Sequence, residues 1–325
     1  MTADASDRTA ATGLVLAGLS AASFGLSGPL ARCLLDVGWS PGAVVLARIA
    51  IAALVVAPFA VHALWGRWHL LRDNARLVAV YGAVPVAATQ FAYFSAVAEM
   101  DVAPALLIEY TAPAAVVAWL WLRDGERPSR MTFAGAGVAT LGLVLVLDLL
   151  SGAGLAPGGV AWALLAMSGA AVYFVMSADT SSGLPPLGLA GGGLAVGAAL
   201  LGALGLVGVL PLRATDQAPV LAGATVDWWL PTIGLGVVTA GLAYCLGIAA
   251  GRRLGSRLAS FVALLEVVAG VTFAWLLLDQ LPGPLQLAGG VLVVAGVVIV
   301  KLGEHGIARP AVPGGLTLVE DPCQR

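Results

Sequence analysis

The composition of the chain excludes a water-soluble globule. The chain has 325 residues, of which 60% are apolar and 10% are charged, and its mean hydropathy is +0.96. A soluble globular chain is about 25% charged, so this chain lacks the polar surface that such a protein needs. Its formal net charge of −2 gives no basic face for nucleic acid. The composition therefore predicts a polytopic membrane protein whose partner is the lipid bilayer and not nucleic acid.

Apolar runs of membrane-spanning length follow one another along most of the chain. A helix needs about 20 residues to cross the hydrocarbon core. The predicted spans 1 to 10 are residues 12–34, 42–64, 77–97, 103–122, 131–149, 158–178, 187–210, 228–248, 257–278 and 284–303. The predicted fold class is an all-α membrane protein with ten transmembrane helices.

The basic residues favour one orientation of this bundle. With the N-terminus inside, 13 of the 16 Lys and Arg residues fall on the inner side, two fall outside, and Arg48 lies within span 2. Cytoplasmic loops carry the excess of Lys and Arg in membrane proteins. We therefore expect a multi-pass protein of the cell (inner) membrane with both termini cytoplasmic. Residues 1–11 are the predicted N-terminal tail, and residues 304–325 are a predicted disordered C-terminal tail.

The two halves of the chain repeat one pattern. Residues 113–146 match residues 267–300 at a constant offset of 154. Upstream, AYFSAVA at 92–98 resembles AYCLGIA at 243–249, which is an offset of 151.

These matches predict a first repeat over residues 12–149 and a second over residues 158–303, with five spans in each. An odd number of spans forces the second copy to cross the membrane in the opposite sense. Inverted repeats are typical of alternating-access transporters, in which the substrate site lies near the midplane between the halves.

Paired glycines mark the last span of each repeat. Gly135 and Gly142 in span 5 are seven residues apart, as are Gly289 and Gly296 in span 10. Two helical turns separate the members of each pair, which leaves a groove for close helix contact. We expect spans 5 and 10 to pack against each other.

Several segments resemble one known family. FGLSGPLAR in span 1, LARIAIAALVVAPF in span 2 and IEYTAPAAVVAWLWLRDGE in span 4 resemble the EamA-type branch of the drug/metabolite transporter superfamily. In the second copy, LLEVVAGVTFAWLLLDQ departs from the family pattern, because Val267 replaces a proline and Asp279-Gln280 replaces Gly-Glu. The resemblance covers residues 12–303 and implies a ten-helix carrier of two five-helix repeats. It favours efflux of amino acids or related metabolites, since LIEYTAP is similar to the threonine/homoserine exporters.

Three ionisable residues are predicted within the hydrocarbon, where each costs roughly 2.5–3.5 kcal/mol on insertion scales. Arg48 and Glu109 lie six residues past the outer starts of their spans, which places both at a depth of roughly 9 Å. They predict an ion pair that is either a structural clamp between helices or a gate or substrate clamp in which Arg48 holds a carboxylate and Glu109 an ammonium group. The alternative is that both side chains snorkel outward. Glu266 lies close to the midplane. It is either a protonated carboxyl bonded to a neighbouring helix or a proton carrier that couples transport to a proton gradient.

Other polar residues are candidates for a cavity between the halves. Each alone is typical of an interhelical hydrogen bond, but together they offer the donors, acceptors and aromatic faces that a small polar or zwitterionic metabolite needs. The candidates are Ser23, Ser27, Gln90, Tyr93, Tyr110, Thr111, Tyr173, Thr239 and Tyr244.

Other function classes fit the sequence less well. Ser27 lies in a Gly-x-Ser-Gly run, but no histidine falls at its depth to act as a base. We therefore predict that the protein is not an enzyme, and neither a metal site nor a cofactor is expected. A channel and a lipid-translocating protein are the alternatives that stay open. The sequence contains no Gly-x-x-x-x-Gly-Lys loop, so a gradient must drive any uphill movement of the small-molecule substrate.

Overall fold

Helices dominate the computed structural model, which describes residues 2–99, 105, 108–124, 129–146, 157–278 and 283–304. In chain order they are α1 Thr2–Gly25, α2 Ser27–Asp36, α3 Pro41–Ala63, α4 Trp68–Asp73, α5 Ala75–Tyr81, α6 Thr89–Glu99, α7 Ala112–Asp124, α8 Arg130–Val146, α9 Pro157–Ala178, α10 Pro186–Leu206, α11 Trp229–Gly236, α12 Ala243–Ala263, α13 Leu265–Leu278 and α14 Pro284–Glu304. Two π-helical segments join neighbouring helices, π1 Gly82–Ala88 between α5 and α6 and π2 Val237–Leu242 between α11 and α12. A short antiparallel hairpin of β1 Val220–Leu221 and β2 Ala224–Thr225 precedes α11.

These helices confirm a helical membrane protein. Among the described residues, six helical stretches are long and apolar enough to cross a membrane, namely Ala10–Asp36, Pro41–Ala63, Ala75–Glu99, Pro157–Ala178, Pro186–Leu206 and Trp229–Ala263. Shorter apolar helices cover Arg130–Leu145, Leu265–Leu277 and Leu287–Val300. The count of ten crossings and the inverted sense of the repeats stay predictions. The predicted N-terminal tail is helical from Thr2 onward, and the C-terminal tail beyond residue 304 lies outside the described residues.

The helix break that ends predicted span 8 lies later than the sequence suggested. The predicted span stopped at residue 248, but the helix continues to Gly255, where φ is +78° and ψ is 162°. Only glycine adopts such a conformation at low cost. The helix is therefore broken at Gly255, and we call this side of the bundle the Gly255 end.

The paired glycines lie at the contact between α8 and α14. A Cβ atom built on Gly142 would lie 2.6 Å from the carbonyl oxygen of Gly289, and one on Gly135 would lie 2.8 Å from that of Gly296. Both distances are shorter than a side chain tolerates. The two backbones can approach this closely because glycines on both helices lack side chains.

Several of the remaining helix contacts occur in matched sets between the two halves. Helix α1 packs on α12 and α13, and α9, which begins the second half, packs on α6 and α7. Helix α3 contacts π2, whereas α10 contacts π1. The last two pairs, α3 with α10 and α8 with α14, join helices at the same position in each half. Exchanging the halves leaves these pairs unchanged, whereas the contact of α9 with α12 has no equally extensive counterpart between α1 and α6 among the described residues.

Candidate functional site

A cavity lies between the two halves of the molecule. It holds about 820 Å³ of empty space, part of it open to the outside. The first half lines it with α1, π1, the N-terminal part of α6, and the chain from Glu109 into α7. The second half lines it with α9, α12 and the start of α13. These elements belong to predicted spans 1, 3 and 4 of the first repeat and 6, 8 and 9 of the second, so equivalent spans contribute from both sides.

The lining helices are interrupted beside the cavity. Leu26 separates α1 from α2, Tyr110 and Thr111 precede α7, and Leu264 separates α12 from α13. Predicted spans 3 and 8 instead widen into π1 and π2. Such interruptions free backbone groups from the helical hydrogen-bond ladder, and transporters place them where the substrate binds.

Both π-helical segments leave one carbonyl free for a side chain of the opposite half. The Thr89 N–H bonds the carbonyl of Val84 and skips that of Pro85, which accepts a hydrogen bond from the Tyr244 hydroxyl at 3.1 Å. At the end of π2, the Ala243 N–H likewise skips the carbonyl of Thr239.

The Thr239 carbonyl accepts from Arg48 Nη2 at 2.6 Å. Pro85 and Thr239 are 154 residues apart, the same offset that relates residues 113–146 to 267–300. The offset of 154 therefore extends through the π-helical segments. The offset of 151 that aligns AYFSAVA with AYCLGIA would instead shift π1 against π2 by three residues.

Arg48 is buried beside the cavity and bonded on two sides. Its side chain is 1% exposed, Nη1 donates to Gln90 Oε1 at 2.5 Å, and the guanidinium carbon lies 5.9 Å from the ring centroids of both Phe24 and Phe94. The predicted ion pair with Glu109 is wrong for this conformation, because no nitrogen–oxygen contact within 4.0 Å joins these two described side chains. Neutral acceptors bond its two η nitrogens instead, and Nε is buried without a hydrogen-bond partner among the described residues.

Glu109 and Glu266 both line the cavity. Neither carboxylate has a nitrogen–oxygen contact within 4.0 Å with Arg48 in the described part of the chain. Each carboxylate lies beside an interruption, since Glu109 precedes the break at Tyr110 and Glu266 follows the one at Leu264. The two carboxylates lie on equivalent predicted spans, 4 and 9, and line the same cavity.

Aromatic rings form much of the rest of the wall. Phe24 and Tyr173 both meet Tyr244 edge to face, with centroid distances of 5.4 Å and 5.6 Å. Phe174 packs against Tyr173 at 5.1 Å. The Gln90 Nε2 atom donates to the Tyr244 hydroxyl at 3.4 Å. The Gln90 side chain, which also bonds Arg48, is therefore linked to this aromatic wall.

The sequence-predicted residues divide into two groups. Those that line the cavity are Gln90, Glu109, Tyr110, Tyr173, Tyr244 and Glu266. Those that lie elsewhere are Ser23, Ser27, Arg48, Tyr93, Thr111 and Thr239. Ser23 donates to the Leu19 carbonyl of its own helix, and Thr239 is fully buried with its hydroxyl on the Leu235 carbonyl.

Sequence reasoning missed several lining residues, of which the most polar are Ser20, Thr89 and Ser260. A usable signal existed on α1. Ala17, Ser20, Ala21 and Phe24 follow the spacing of one helix face, whereas Ser23 and Ser27 lie on another.

The end of the bundle opposite Gly255 is closed by two connections. The Ser40 N–H donates to the Arg213 carbonyl at 2.8 Å, and the Arg213 N–H donates to Ser40 Oγ at 2.9 Å. Nearby, Trp39 Nε1 donates to the Thr215 carbonyl at 3.0 Å and its ring packs on Trp228. We call this side the Trp39 end. The cavity lining instead includes Ala250 and Ala259 of α12, which lie on either side of Gly255 in the sequence.

Comparison with known proteins agrees with this architecture. The sequence profile of the EamA-like transporter family matches the chain twice, at residues 11–148 and 157–302. A protein known from a crystal structure is similar in fold, with a TM-score of 0.68 and 24% identity over 91% of this chain and 98% of the other. We found no match among curated proteins. Because the two profile matches cover nearly the whole sequence, the chain belongs to the EamA-like transporter family, whose members are membrane transporters of the drug/metabolite type.

Proposed function

We propose that the protein is a secondary transporter that moves small polar metabolites across the cell membrane by alternating access. The observation that carries this proposal is the cavity between the halves, which equivalent spans of both repeats line. A site enclosed by two repeats can face either side of the membrane when one repeat rocks against the other. The closed Trp39 end and the lining residues on either side of Gly255 favour a conformation open to one side.

In this proposal the chain crosses the membrane ten times and the second repeat is inverted. The matched contact sets support it, because an exchange of halves preserves them. The distribution of Lys and Arg supports cytoplasmic termini. The Gly255 end is then cytoplasmic, since Arg252, Arg253 and Arg257 flank that break.

The energy source in this proposal is the proton gradient, with Glu266 as the proton carrier. Glu266 lines the cavity at an interruption between helices, where a proton and a substrate compete for one carboxylate. The preferred direction is efflux, and the preferred substrates are amino acids or related compounds that carry an amino group. The resemblance of the LIEYTAP segment supports this choice.

Transport is tested on purified protein. A thermal-shift screen of metabolites selects ligands, and counterflow in proteoliposomes then measures exchange of each ligand. We expect saturable exchange that requires unlabelled substrate on the opposite side. An ohmic single-channel current would instead identify a channel, and movement of labelled lipid without metabolite exchange would identify a lipid-translocating protein.

The inverted arrangement has its own test. Single cysteines replace Gly125 in the 4–5 connection and the exposed Asp216 in the 7–8 connection, in a chain whose natural cysteines are changed to serine. A membrane-impermeant maleimide applied to intact cells should label position 216 and not position 125. Labelling of both positions from the same side would contradict the inverted topology.

A further inference from the structure

The charged groups of the cavity have one sign. Of the described lining residues, Glu109 and Glu266 are the ionisable acids, and that lining contains no Lys, Arg or His. Arg48 lies just outside the lining, and its two η nitrogens donate to Gln90 and to the Thr239 carbonyl. A carboxylate entering the cavity would therefore meet two acidic side chains and a guanidinium whose two η nitrogens are already bonded.

The charge balance of this cluster favours a cation. Arg48 brings one guanidinium, and Glu109 and Glu266 bring two carboxyl groups, which carry two negative charges when both are ionised. Like charges that share a poorly hydrated site repel strongly, and a cation placed between them removes the repulsion. One monovalent cation would neutralise the cluster.

The neutral wall has the features of an organic cation site. Phe24, Tyr110 and Phe174 present rings to the space, and aromatic faces attract ammonium groups. The Tyr173 hydroxyl oxygen is buried and has no hydrogen-bond partner among the described residues. It lies against Gly247, whose missing side chain leaves room for it.

We propose that the cavity binds a monovalent organic ammonium ion that has an apolar or aromatic body and no carboxylate. Its ammonium group lies between Glu109 and Glu266, and its body lies against the aromatic wall. The inference rests on the proposed transport function and narrows the substrate class from amino acids to amines. It also predicts exchange of one amine for one proton, because either cation leaves the cluster with the same charge.

Matched compounds that differ only in charged groups test the inference. Isothermal titration of the purified wild-type protein in detergent compares an amine, the corresponding amino acid and the corresponding acid in three series. These are tryptamine, tryptophan and indole-3-acetate; phenethylamine, phenylalanine and phenylacetate; and isopentylamine, leucine and isovalerate. We expect the amine to bind about tenfold or more tightly than its amino acid in at least one series, and no acid to bind.

Variants locate the ammonium site. Glu109→Gln and Glu266→Gln should each weaken amine binding by about tenfold. Glu99→Gln is the matched control, because Glu99 is exposed and bonds Trp162 outside the cavity. It should leave amine affinity unchanged. Gel filtration and thermal unfolding establish that each variant is folded, and the wild-type comparison does not depend on any variant.

The outcomes separate this inference from the proposed function. Binding of amino acids as tightly as amines in every series would overturn the inference, as would the failure of every amine to bind. If counterflow with amino acids then succeeds, the transport proposal stands and only the substrate class is wrong. If amines bind but neither amines nor amino acids exchange across the membrane, the cavity assignment stands and the transport function is wrong.

Discussion

Arg48 on α3 donates a hydrogen bond of 2.6 Å to the backbone carbonyl of Thr239 in π2, and so joins the two repeats beside the cavity. The bond exists because the π-helical turn removes the Ala243 N–H from that carbonyl. The reciprocal bond runs from Tyr244 to the Pro85 carbonyl of π1. Each repeat therefore supplies an unwound carbonyl and a side chain that satisfies the carbonyl of the other.

Replacing Arg48 by lysine should destabilise the protein even though the positive charge is kept. An ammonium group cannot reach both Gln90 and Thr239 as the planar guanidinium does. We expect the free energy of unfolding to fall by about 1–2 kcal/mol, as for lost interhelical hydrogen bonds. Thermal unfolding in detergent measures the effect.

Arg32→Lys is the control for this substitution, because Arg32 is exposed and pairs with Asp36 one helical turn away. Its unfolding midpoint should equal that of the wild type. An Arg48→Lys variant as stable as Arg32→Lys would show that the two hydrogen bonds of Arg48 contribute nothing to the native state.

The contact of α8 with α14 should tolerate no side chain at Gly142. Leucine at this position would push against the Gly289 carbonyl, which lies 2.6 Å from the site of the new Cβ. We expect a loss of about 1–3 kcal/mol or failure to fold, as in overpacked cores. Gly137→Leu is the control, because it lies on the same helix with no atom within 4 Å of its Cβ site. Equal unfolding midpoints for the two variants would contradict the packing argument.

The sequence predicted the helical membrane class and the positions of its main helices because hydrophobicity and length decide them. The spacing of Gly135 and Gly142 also indicated the helix contact, since a missing side chain is visible in the sequence. The ion pair of Arg48 with Glu109 was wrong for a physical reason. The sequence indicates that the two side chains lie at the same depth in the membrane and have opposite charges. It does not reveal that a neutral acceptor lies beside Arg48.

That acceptor is the backbone carbonyl of Thr239. It can accept from Arg48 because the π-helical turn removes its usual backbone hydrogen bond. No residue type marks such a turn, since π1 contains Pro85 and π2 contains no proline. The cavity wall likewise contains residues that could not be identified from the sequence. Gln90 and Tyr244 were found as polar residues inside apolar runs, whereas Phe24 and Phe174 look like ordinary core residues until the helices are placed.

Glu266→Gln should uncouple transport from the proton gradient. A glutamine keeps the shape of the side chain but neither gains nor loses a proton, so a pH gradient can no longer drive accumulation. We expect gradient-driven uptake of a counterflow substrate into proteoliposomes to fall to background. Exchange at saturating substrate should persist, because exchange needs no net proton movement.

Glu99→Gln provides the matched comparison for this measurement, since Glu99 lies at the end of α6 with its carboxylate on Trp162. Its gradient-driven uptake should equal that of the wild type. If Glu266→Gln accumulates substrate at the full rate under a pH gradient, another group carries the proton.

A disulfide across the Trp39 end should stop transport. Ser40 and Arg213 exchange hydrogen bonds through their backbones and the Ser40 hydroxyl, so the two residues are in direct contact. A disulfide needs such an approach, and we expect a cross-link at this pair. The double variant Ser40→Cys with Arg213→Cys, in a chain whose natural cysteines are serine, should form a disulfide under mild oxidation. Alternating access requires this end to open in each cycle, so counterflow should fall to background after oxidation and return after reduction.

The two single-cysteine variants control for the loss of the native hydrogen bonds and for oxidation itself. Each should transport at the same rate before and after oxidation, because neither can form the intramolecular disulfide. Full counterflow by the oxidised double variant, with the disulfide verified by mass spectrometry, would show that the Trp39 end stays closed throughout the cycle. The substrate would then reach both sides of the membrane by a route that leaves Ser40 and Arg213 in contact, and rocking of one repeat against the other would no longer explain transport.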